Sequence, residues 1–308
     1  MDNEFFQKIK EEIFNAAFAK NGRCSLLIDA SLKQYQSNSF LYDALKDYPL
    51  YPIIFYQDEL HEALPLYLVP LDVHSIRDKE LFHNSIHHAL YELGEERINN
   101  GEGRSVCAWI STPLTTEQLS ESISRSAVQT TQSGGDVLIR YFDPSVFGLL
   151  LPVLDGWQKQ QLLRNINAWC YIDGDATAQV VNGNGENVKK LSFSLELTES
   201  NWIDLNNILV INNILRKYRE INGMGKVNEQ QAGRLLQPAL RYFYDHFSSV
   251  GEGVNEFGLD ILTAQQLFYQ RGVFEQYLRN KYAANLPLYS DVKSRVGCME
   301  WEKAFSLA

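Results

Sequence analysis

The chain has 308 residues, of which 45% are hydrophobic, so it is long enough to bury one large core or two smaller ones. Its formal net charge of −10 at pH 7 argues against nucleic acid and anionic membranes as partners, since both reward basic surfaces. The charge is uneven: residues 1–198 contain 26 Asp and Glu against 16 Lys and Arg, whereas residues 199–308 contain 12 of each. These numbers predict two parts of different character, with no nucleic acid and no membrane as a partner.

In the N-terminal part, apolar strand-like runs alternate with stretches of helical periodicity. The predicted helices cover 4–20, 39–48, 77–98, 115 to about 129, 145–151 and 156–166. The predicted strands cover 25–30, 52–56, 66–71, 106–110, 137–142 and 168–172. Several strands are apolar throughout, which indicates a sheet that is covered on both faces. The alternation predicts an α/β fold for residues 1–198, with a mixed sheet flanked by helices.

Two local signals give finer predictions within this domain. Thr115, with Gln118 three residues later, forms a capping box that opens a helix. Residues 176–181 and 188–197 flank Asn182-Gly183-Asn184-Gly185, a sequence that is typical of a hairpin turn. We therefore expect a helix that begins just after Thr115, and a hairpin that is centred on the Asn-Gly repeat.

The pair Asp143-Pro144 joins the predicted strand 137–142 to a helix. Asp at the N-cap accepts hydrogen bonds from the unpaired N–H groups of the first turn. Pro at the first helical position loses no hydrogen bond and has its φ already set. These residues predict a sharp strand-to-helix turn with Tyr141 and Phe142 immediately before it, so that capping rather than catalysis accounts for Asp143.

After residue 198 the pattern becomes helical throughout. Apolar residues recur at helical spacing in three sets, the first of which is Ile208, Ile211, Leu215 and Tyr218. Gly223-Met224-Gly225 and Gly251-Glu252-Gly253 separate these sets. The pattern predicts an all-helical C-terminal lobe of four helices over residues 199–308.

The cysteines and the N-terminus indicate the compartment. Cys24, Cys107, Cys170 and Cys298 form no Cys-x-x-Cys pair, and the first three lie in or beside apolar runs. The residues Met-Asp-Asn-Glu at the N-terminus lack the charge pattern of a signal peptide, and no apolar run approaches the length that spans a membrane. We expect a cytoplasmic protein with buried, reduced thiols.

The sequence contains no convincing catalytic, metal or cofactor motif. His83 and His87 have the spacing of two metal ligands on one helix, but no third ligand is evident. Gly223-Met224-Gly225-Lys226 lacks the spacing of a phosphate-binding loop and follows no strand. The serines that follow strands are not in a Gly-x-Ser-x-Gly context. We therefore predict no catalytic residue, no metal and no cofactor.

One segment resembles a known family. The run Arg140-Tyr141-Phe142-Asp143-Pro144-Ser145-Val146-Phe147, with Leu150-Leu151-Pro152 and then Trp157-Gln158, is similar to the signature of the type VI secretion adaptor/chaperone family. Weaker likenesses extend the resemblance over roughly residues 24–170, at Leu26–Ala30, Leu64–Leu71 and Trp109–Ser111.

The resemblance implies a function as well as a fold. It implies a protein that is not an enzyme, binds a secreted effector protein, and helps place that effector on the secretion spike protein. It also implies a shared N-terminal α/β domain, followed by a C-terminal region that varies among members.

The resemblance and the aromatic composition of the lobe together select the candidate motif and interface residues. They are Arg140, Tyr141, Asp143, Pro144, Trp157 and Trp169 in the N-terminal domain, and Tyr242, Tyr244, Phe268 and Tyr269 in the lobe. Because interface cores are depleted of charge and rich in aromatics, the neutral lobe, which also contains Phe274 and Tyr277, is expected to supply contacts that select one effector. Two alternatives stay open: an immunity or accessory binding protein for a toxin, and an α/β hydrolase of unrecognised type.

Overall fold

The computed structural model describes residues 3–31, 39–55, 64–223, 227–249, 251–265, 267–270 and 286–296. The chain divides into two units, Met1–Trp202 and Ile203–Ala308. The first unit is built on a β-sheet and the second on helices. Sheet, flanking helices and helical C-terminal region confirm the predicted fold class.

The elements of the first unit alternate along the chain. Its strands are β1 (Arg23–Asp29), β2 (Tyr51–Pro52), β3 (Leu66–Asp72), β4 (Val106–Ser111), β5 (Val128–Thr130), β6 (Asp136–Leu138), β7 (Ala168–Ile172) and β8 (Ala178–Asn182). Its helices are α1 (Asn3–Ala17), α2 (Phe40–Leu45), α3 (Ile76–Tyr91), α4 (Glu95–Asn99), α5 (Thr116–Ala127), α6 (Pro144–Leu150) and α7 (Gly156–Leu163).

Six of these strands form one sheet in the order β2-β3-β1-β4-β7-β8, as far as the described residues show. Every strand pair in it is antiparallel. A shift of register between Leu27 and Ile28 marks a bulge where β1 pairs with β4. Among the described residues, strands β5 and β6 pair only with each other, in a separate two-stranded ribbon.

Helices α1, α2 and α3 cover one face of the sheet. Their apolar sides form a single buried cluster with alternate residues of the strands, among them Leu26, Val69, Trp109 and Cys170. The indole N–H of Trp109 donates to the hydroxyl of Ser85 at 2.9 Å, so the polar atom of this buried ring is satisfied. All six residues of β4 and all five of β7 are buried, because the opposite face is covered too.

The predicted capping box at Thr115 is confirmed. The Thr115 hydroxyl accepts from the Gln118 N–H at 3.3 Å, and the Gln118 side chain accepts from the Thr115 N–H at 3.1 Å. Helix α5 accordingly begins at the next residue, Thr116. The strand predicted over 168–172 has the same bounds in the structure.

The strand predicted over 137–142 is wrong beyond Leu138. The chain turns there, since the Tyr141 N–H donates to the Ile139 carbonyl at 2.8 Å and the Asp143 N–H donates to the Arg140 carbonyl at 2.9 Å. The helix cap at Asp143 therefore follows a pair of turns rather than a straight strand. The apolar residues of this run serve as core side chains instead of a sheet strand.

The hairpin predicted around Asn182–Gly185 is also wrong. Strand β8 pairs with β7, and the repeat that follows it packs on the loop after α7, where the Gly185 N–H donates to the Ile166 carbonyl at 2.9 Å. Residues 188–197 form no strand, because side chains take up their backbone groups. The Gln129 amide, for example, donates to the Phe193 carbonyl at 3.0 Å and accepts from the Leu195 N–H at 2.7 Å.

The helices predicted over 4–20, 39–48 and 156–166 end about three residues earlier than predicted, and two further elements differ more. The helix predicted over 77–98 is two helices, α3 and α4, separated at Gly94, which is the N-cap of α4. The strand predicted over 52–56 is only the two-residue β2, and Tyr56 lies outside the described residues.

The second unit contains the helices α8 (Glu199–Asn222), α9 (Glu229–His246), α10 (Gly253–Ala264) and α11 (Tyr289–Arg295), with a short 3-10 helix at Phe268–Gln270. Helix α8 begins in the first unit, next to the predicted boundary at residue 198. Stacked and edge-to-face aromatic rings form much of the core, among them Phe243, Phe247, Phe257 and Tyr289. No strand occurs in the described residues of this unit.

Candidate functional site

The segment that carries the family resemblance is built around the cap of α6. The Asp143 side chain accepts from the Ser145 N–H at 2.9 Å and from the Ser145 hydroxyl at 2.7 Å, and Pro144 stands at the first helical position. The predicted capping role of Asp143 is therefore confirmed. Because the cap fixes where the helix begins, it also fixes the direction of the chain just before the helix, and so the positions of Arg140 and Tyr141.

The aromatic residues of this segment are buried beneath the second face of the sheet. The Phe147 ring stacks on Trp169 with 5.0 Å between centroids, and Tyr141 lies 5.8 Å from the same indole. Phe142 is fully buried and lies 6.4 Å from the Phe55 ring. Burial raises the pKa of the Tyr141 hydroxyl well above its ordinary value. These rings act as core, and they hold the Asp143 turn against β7.

Arg140 is the charged residue of the segment that remains half-exposed, with 43% of its side chain accessible. Its guanidinium lies 3.0 Å from the carboxylate of Asp29 and 3.8 Å from that of Asp143. The Asp29 side chain is only 3% exposed, and its other oxygen accepts the Ser31 N–H at 2.9 Å. A buried carboxylate at the end of β1 thus holds a cation in place at the surface.

The other predicted interface residues divide into exposed and buried ones. Trp157, on α7, is 49% exposed and Tyr244, on α9, is 39% exposed, so both present apolar surface. Trp169, Phe268 and Tyr269 are at most 2% exposed. These three are core side chains in this structure, because each packs against other rings of its own unit.

Tyr242 is intermediate, and it stacks between His246 at 4.0 Å and Tyr269 at 4.2 Å. This stacking packs the Tyr242 ring against the core of the helical lobe. Phe274 and Tyr277 lie outside the described residues.

A buried polar row beside the same end of β1, where the Asp29 N–H donates to the Ser105 carbonyl at 2.8 Å, was missed by sequence reasoning. Glu92, which follows α3, is 1% exposed, and its carboxylate accepts the Ser105 N–H at 2.8 and 2.9 Å and the Val106 N–H at 3.3 Å. His88 Nε2 lies 3.3 Å from the same carboxylate, and His88 Nδ1 lies 3.2 Å from the Ser39 hydroxyl. The row thereby ties α3 to the start of β4 and to the start of α2.

Electrostatics show that Glu92 belongs to this row as an anion. Burial by itself raises the pKa of Glu92, but the interactions with His88 and Ser105 outweigh burial and hold that pKa below its ordinary value of 4.5. The sequence contains one sign of this role. A carboxylate at the C-terminal end of a helix opposes the helix dipole and so needs a dedicated partner.

The histidine pair and the cysteines have structural surroundings. The His83 ring lies 5.0 Å from the Phe6 ring, and burial together with nearby Lys10 lowers the pKa of His83. In the part of the chain that is described, no group of three His, Cys, Asp or Glu side chains is placed to hold a metal ion. Cys107 is a buried free thiol whose pKa is raised by burial.

Cys24 and Cys170 are also free and buried, and burial raises the pKa of both thiols, that of Cys170 to about 12. Cys298 lies outside the described residues.

Replacing Asp143 by alanine should cost about 1 kcal/mol of stability, because one capping acceptor of α6 is lost. Asp143→Asn should cost less, since the asparagine carbonyl can still accept from the Ser145 N–H. Urea unfolding followed by tryptophan fluorescence measures the difference. Equal stabilities of the alanine variant and the parent protein would show that the cap contributes nothing.

Comparison with known proteins assigns the chain to no family. Neither the family models, nor the curated proteins, nor the solved structures contain a match to this chain. Among the described helices, none combines the length and the apolar character needed to cross a membrane. The resemblance to the adaptor family therefore stays a prediction from the residues themselves.

Proposed function

We propose that the chain is a cytoplasmic adaptor that binds a secreted effector and helps load it onto the spike protein of a type VI secretion system. The observation that carries the proposal is the geometry of Arg140 within the segment that resembles the adaptor family. The guanidinium is anchored on the buried Asp29 and remains 43% exposed beside a capped helix. A partner thus meets a charged group whose position is already set.

The physical advantage of this arrangement is low ordering cost. Arg is among the residues that most often dominate binding energy at protein interfaces. A side chain that is held in one rotamer before binding loses less entropy when the partner arrives. Because two carboxylates flank Arg140, the partner need supply only one further acceptor, such as a backbone carbonyl or a carboxylate.

The helical unit is proposed to supply part of the selectivity for one effector. Residues 199–308 carry equal numbers of acidic and basic residues, so they lack the net negative charge of residues 1–198. Exposed apolar side chains on α8 and α9 include Leu209 at 75%, Ile221 at 69% and Tyr244 at 39% accessibility. Such residues suit contacts that depend on shape rather than on charge.

Arg140→Lys should weaken the binding of the effector, or of the spike protein, about tenfold, since lysine keeps the charge beside Asp29 but loses the planar, multivalent guanidinium. The matched control is Arg125→Lys, because Arg125 is 45% exposed and also forms an ion pair, at 3.0 Å, with Glu121. The control should bind with unchanged affinity. Affinities are measured by calorimetry with effector and spike proteins from the same genome.

Equal affinity of the Arg140→Lys variant and the parent protein for both partners would remove Arg140 from the interface. Failure of the parent protein itself to bind either partner would overturn the adaptor proposal. Binding of an isolated toxin domain, without any affinity for the spike protein, would instead favour the immunity or accessory role.

A second candidate function, hydrolysis, is favoured by the order of groups in the buried row. The Ser39 hydroxyl, the His88 ring and the Glu92 carboxylate follow one another at 3.2 and 3.3 Å, which is the nucleophile, base and carboxylate order of a hydrolase. Two of these groups have structural partners, however: Ser39 is the N-cap of α2, and Glu92 holds the start of β4. A Ser39→Ala variant that abolished turnover of an activated ester by the purified protein would establish this function instead.

A further inference from the structure

Strand β8 forms one edge of the six-stranded sheet, within the part of the chain that is described. Two hydrogen bonds at its ends fix the phase of its antiparallel ladder with β7. The Asp173 N–H donates to the Thr177 carbonyl at 3.0 Å, and the Gly183 N–H donates to the Asn167 carbonyl at 3.3 Å. Because hydrogen-bonded and non-hydrogen-bonded pairs alternate, these bonds determine which residues of β8 face β7.

The outward-facing residues follow from that phase and from the register. Gln179 and Val181 pair with β7 through their backbone N–H and carbonyl groups. Ala178, Val180 and Asn182 therefore direct their backbone groups away from the sheet. Across the described ranges of the chain, these outward groups have no hydrogen-bond partner, and Val180 is 39% exposed.

The opposite edge of the same sheet, formed by the short β2 and by the part of β3 that extends beyond it, is closed. Pro52 faces outward on β2, lacks an N–H group, and its carbonyl accepts from the Ser120 hydroxyl at 2.8 Å. The outward positions of β3 are Leu66, Leu68, Pro70 and Asp72. Strand β2 and the residue after it pair with the two leucines. Pro70 has no N–H group, and the N–H of Asp72 donates to the carboxylate of Asp78 at 2.9 Å. Proline and a side-chain cap are devices that prevent an edge strand from pairing with another chain.

Strand β8 has none of these devices. Its sequence Ala-Gln-Val-Val-Asn contains no charge and no proline, and its register with β7 is regular over all five residues. An unblunted edge of this kind is suited to β-strand addition, in which an extended peptide bonds to the free backbone groups. The contrast between the two edges of one sheet indicates that pairing with another chain is tolerated at β8 and prevented at the edge formed by β2 and β3.

The charge around β8 indicates which kind of peptide would pair with its free edge. Residues 173–187, which comprise β8 and the turns on either side, contain three carboxylates (Asp173, Asp175 and Glu186) and no Lys or Arg. Arg164 pairs with Glu186, and Asp173 accepts N–H groups of its own turn, yet residues 1–198 as a whole carry ten more acidic than basic residues. Like charge disfavours a second copy of the chain at this edge and favours a basic segment.

We propose that β8 accepts an extended, positively charged segment of a partner polypeptide, which adds to the sheet as a seventh strand beside Ala178, Val180 and Asn182. That this partner is the effector rests on the proposed adaptor function, whereas the pairing itself does not. The segment would carry Lys or Arg at alternate positions, because side chains on one face of a strand recur every second residue.

The test uses a labelled ten-residue peptide of alternating Lys and Val, with a Glu and Val peptide of the same length as its matched control. Hydrogen exchange of the full-length protein should slow at the amides of Ala178, Val180 and Asn182 when the Lys peptide is added, and not when the Glu peptide is added. Val180→Pro removes the central outward N–H without touching the β7 ladder, and should weaken Lys-peptide binding about tenfold or more. Val180→Thr keeps that N–H group and should bind as the parent protein does.

Absence of protection at the three amides with the Lys peptide would overturn the proposal, even if Val180→Pro failed to fold. Equal protection by both peptides would contradict the claim that the occupant is basic. If the parent protein dimerises and Val180→Pro abolishes the dimer, the occupant is a second copy of the chain instead. If the effector binds the Val180→Pro variant as tightly as the parent protein, the identification of the effector as the occupant of this edge fails while the adaptor proposal stands.

Discussion

Glu92→Ala is expected to lower the free energy of unfolding of the sheet unit by roughly 3–5 kcal/mol. The substitution removes the acceptors of two buried N–H groups, those of Ser105 and Val106, and it leaves His88 facing a cavity. Each buried donor without a partner costs about 1–3 kcal/mol, and the cavity adds to that cost. Urea unfolding monitored by tryptophan fluorescence measures the loss.

Glu92→Gln is the matched control, because it retains the volume and one carbonyl acceptor. It should cost about 1–3 kcal/mol, less than the alanine variant. An alanine variant as stable as the parent protein would show that the row does not hold α3 on β4.

The same residue predicts the direction of a pH effect. Since the pKa of Glu92 in the folded protein lies below its ordinary value of 4.5, the anion stabilises the fold fully above that pH. This stabilisation is lost as the pH falls from 4.5 through the lower folded pKa. The Glu92→Gln variant should therefore lose less stability than the parent protein over this range, and equal losses would contradict the role of the anion.

Breaking the Arg219–Glu229 ion pair should destabilise the helical unit by about 3–5 kcal/mol. The two groups lie 3.0 Å apart, and their side chains are 8% and 4% exposed. The pair links the last turn of α8 to the first residue of α9. In Glu229→Ala the guanidinium of Arg219 stays buried but loses the carboxylate that balanced its charge. Burying a charge without its counter-ion costs much free energy. Faster hydrogen exchange of the α8 and α9 amides in Glu229→Ala would report the loss within this unit, and unchanged exchange would contradict it.

The double variant Arg219→Met with Glu229→Leu tests whether the instability of Glu229→Ala comes from the uncompensated charge of Arg219 or from lost packing. Apolar side chains of similar volume remove both charges together, so the double variant should be nearly as stable as the parent protein or more stable. A double variant that is as unstable as Glu229→Ala would show that packing, rather than the uncompensated charge, causes the loss.

Sequence patterns predicted the parts of the fold that depend on near neighbours. The cap at Thr115 needs only the residue three positions later, and strand 168–172 is apolar at every position, so both were predictable. The same local view failed at Asn182–Gly185, where glycines allow close approach to a distant loop instead of making a hairpin. It also failed over 188–197, where partners such as Gln129 lie more than 60 residues away along the chain.

The candidate site was predictable only in part. The helix cap at Asp143 was predictable, because Asp followed directly by Pro is a common start of a helix. The contact of Arg140 with Asp29 joins residues 111 positions apart, and a single sequence carries no signal for it. Burial likewise could not be assigned to individual aromatics, so that Phe268 and Tyr269 were grouped with Tyr244 although only the last of them is exposed.

The adaptor role is tested most directly by measuring association of the purified effector with the purified spike protein, in the presence and in the absence of this chain. The chain should raise that association, and both partners should elute with it as one complex in size-exclusion chromatography. An effector that joins the spike protein equally well without the chain, or a chain that binds neither of them, would contradict the role.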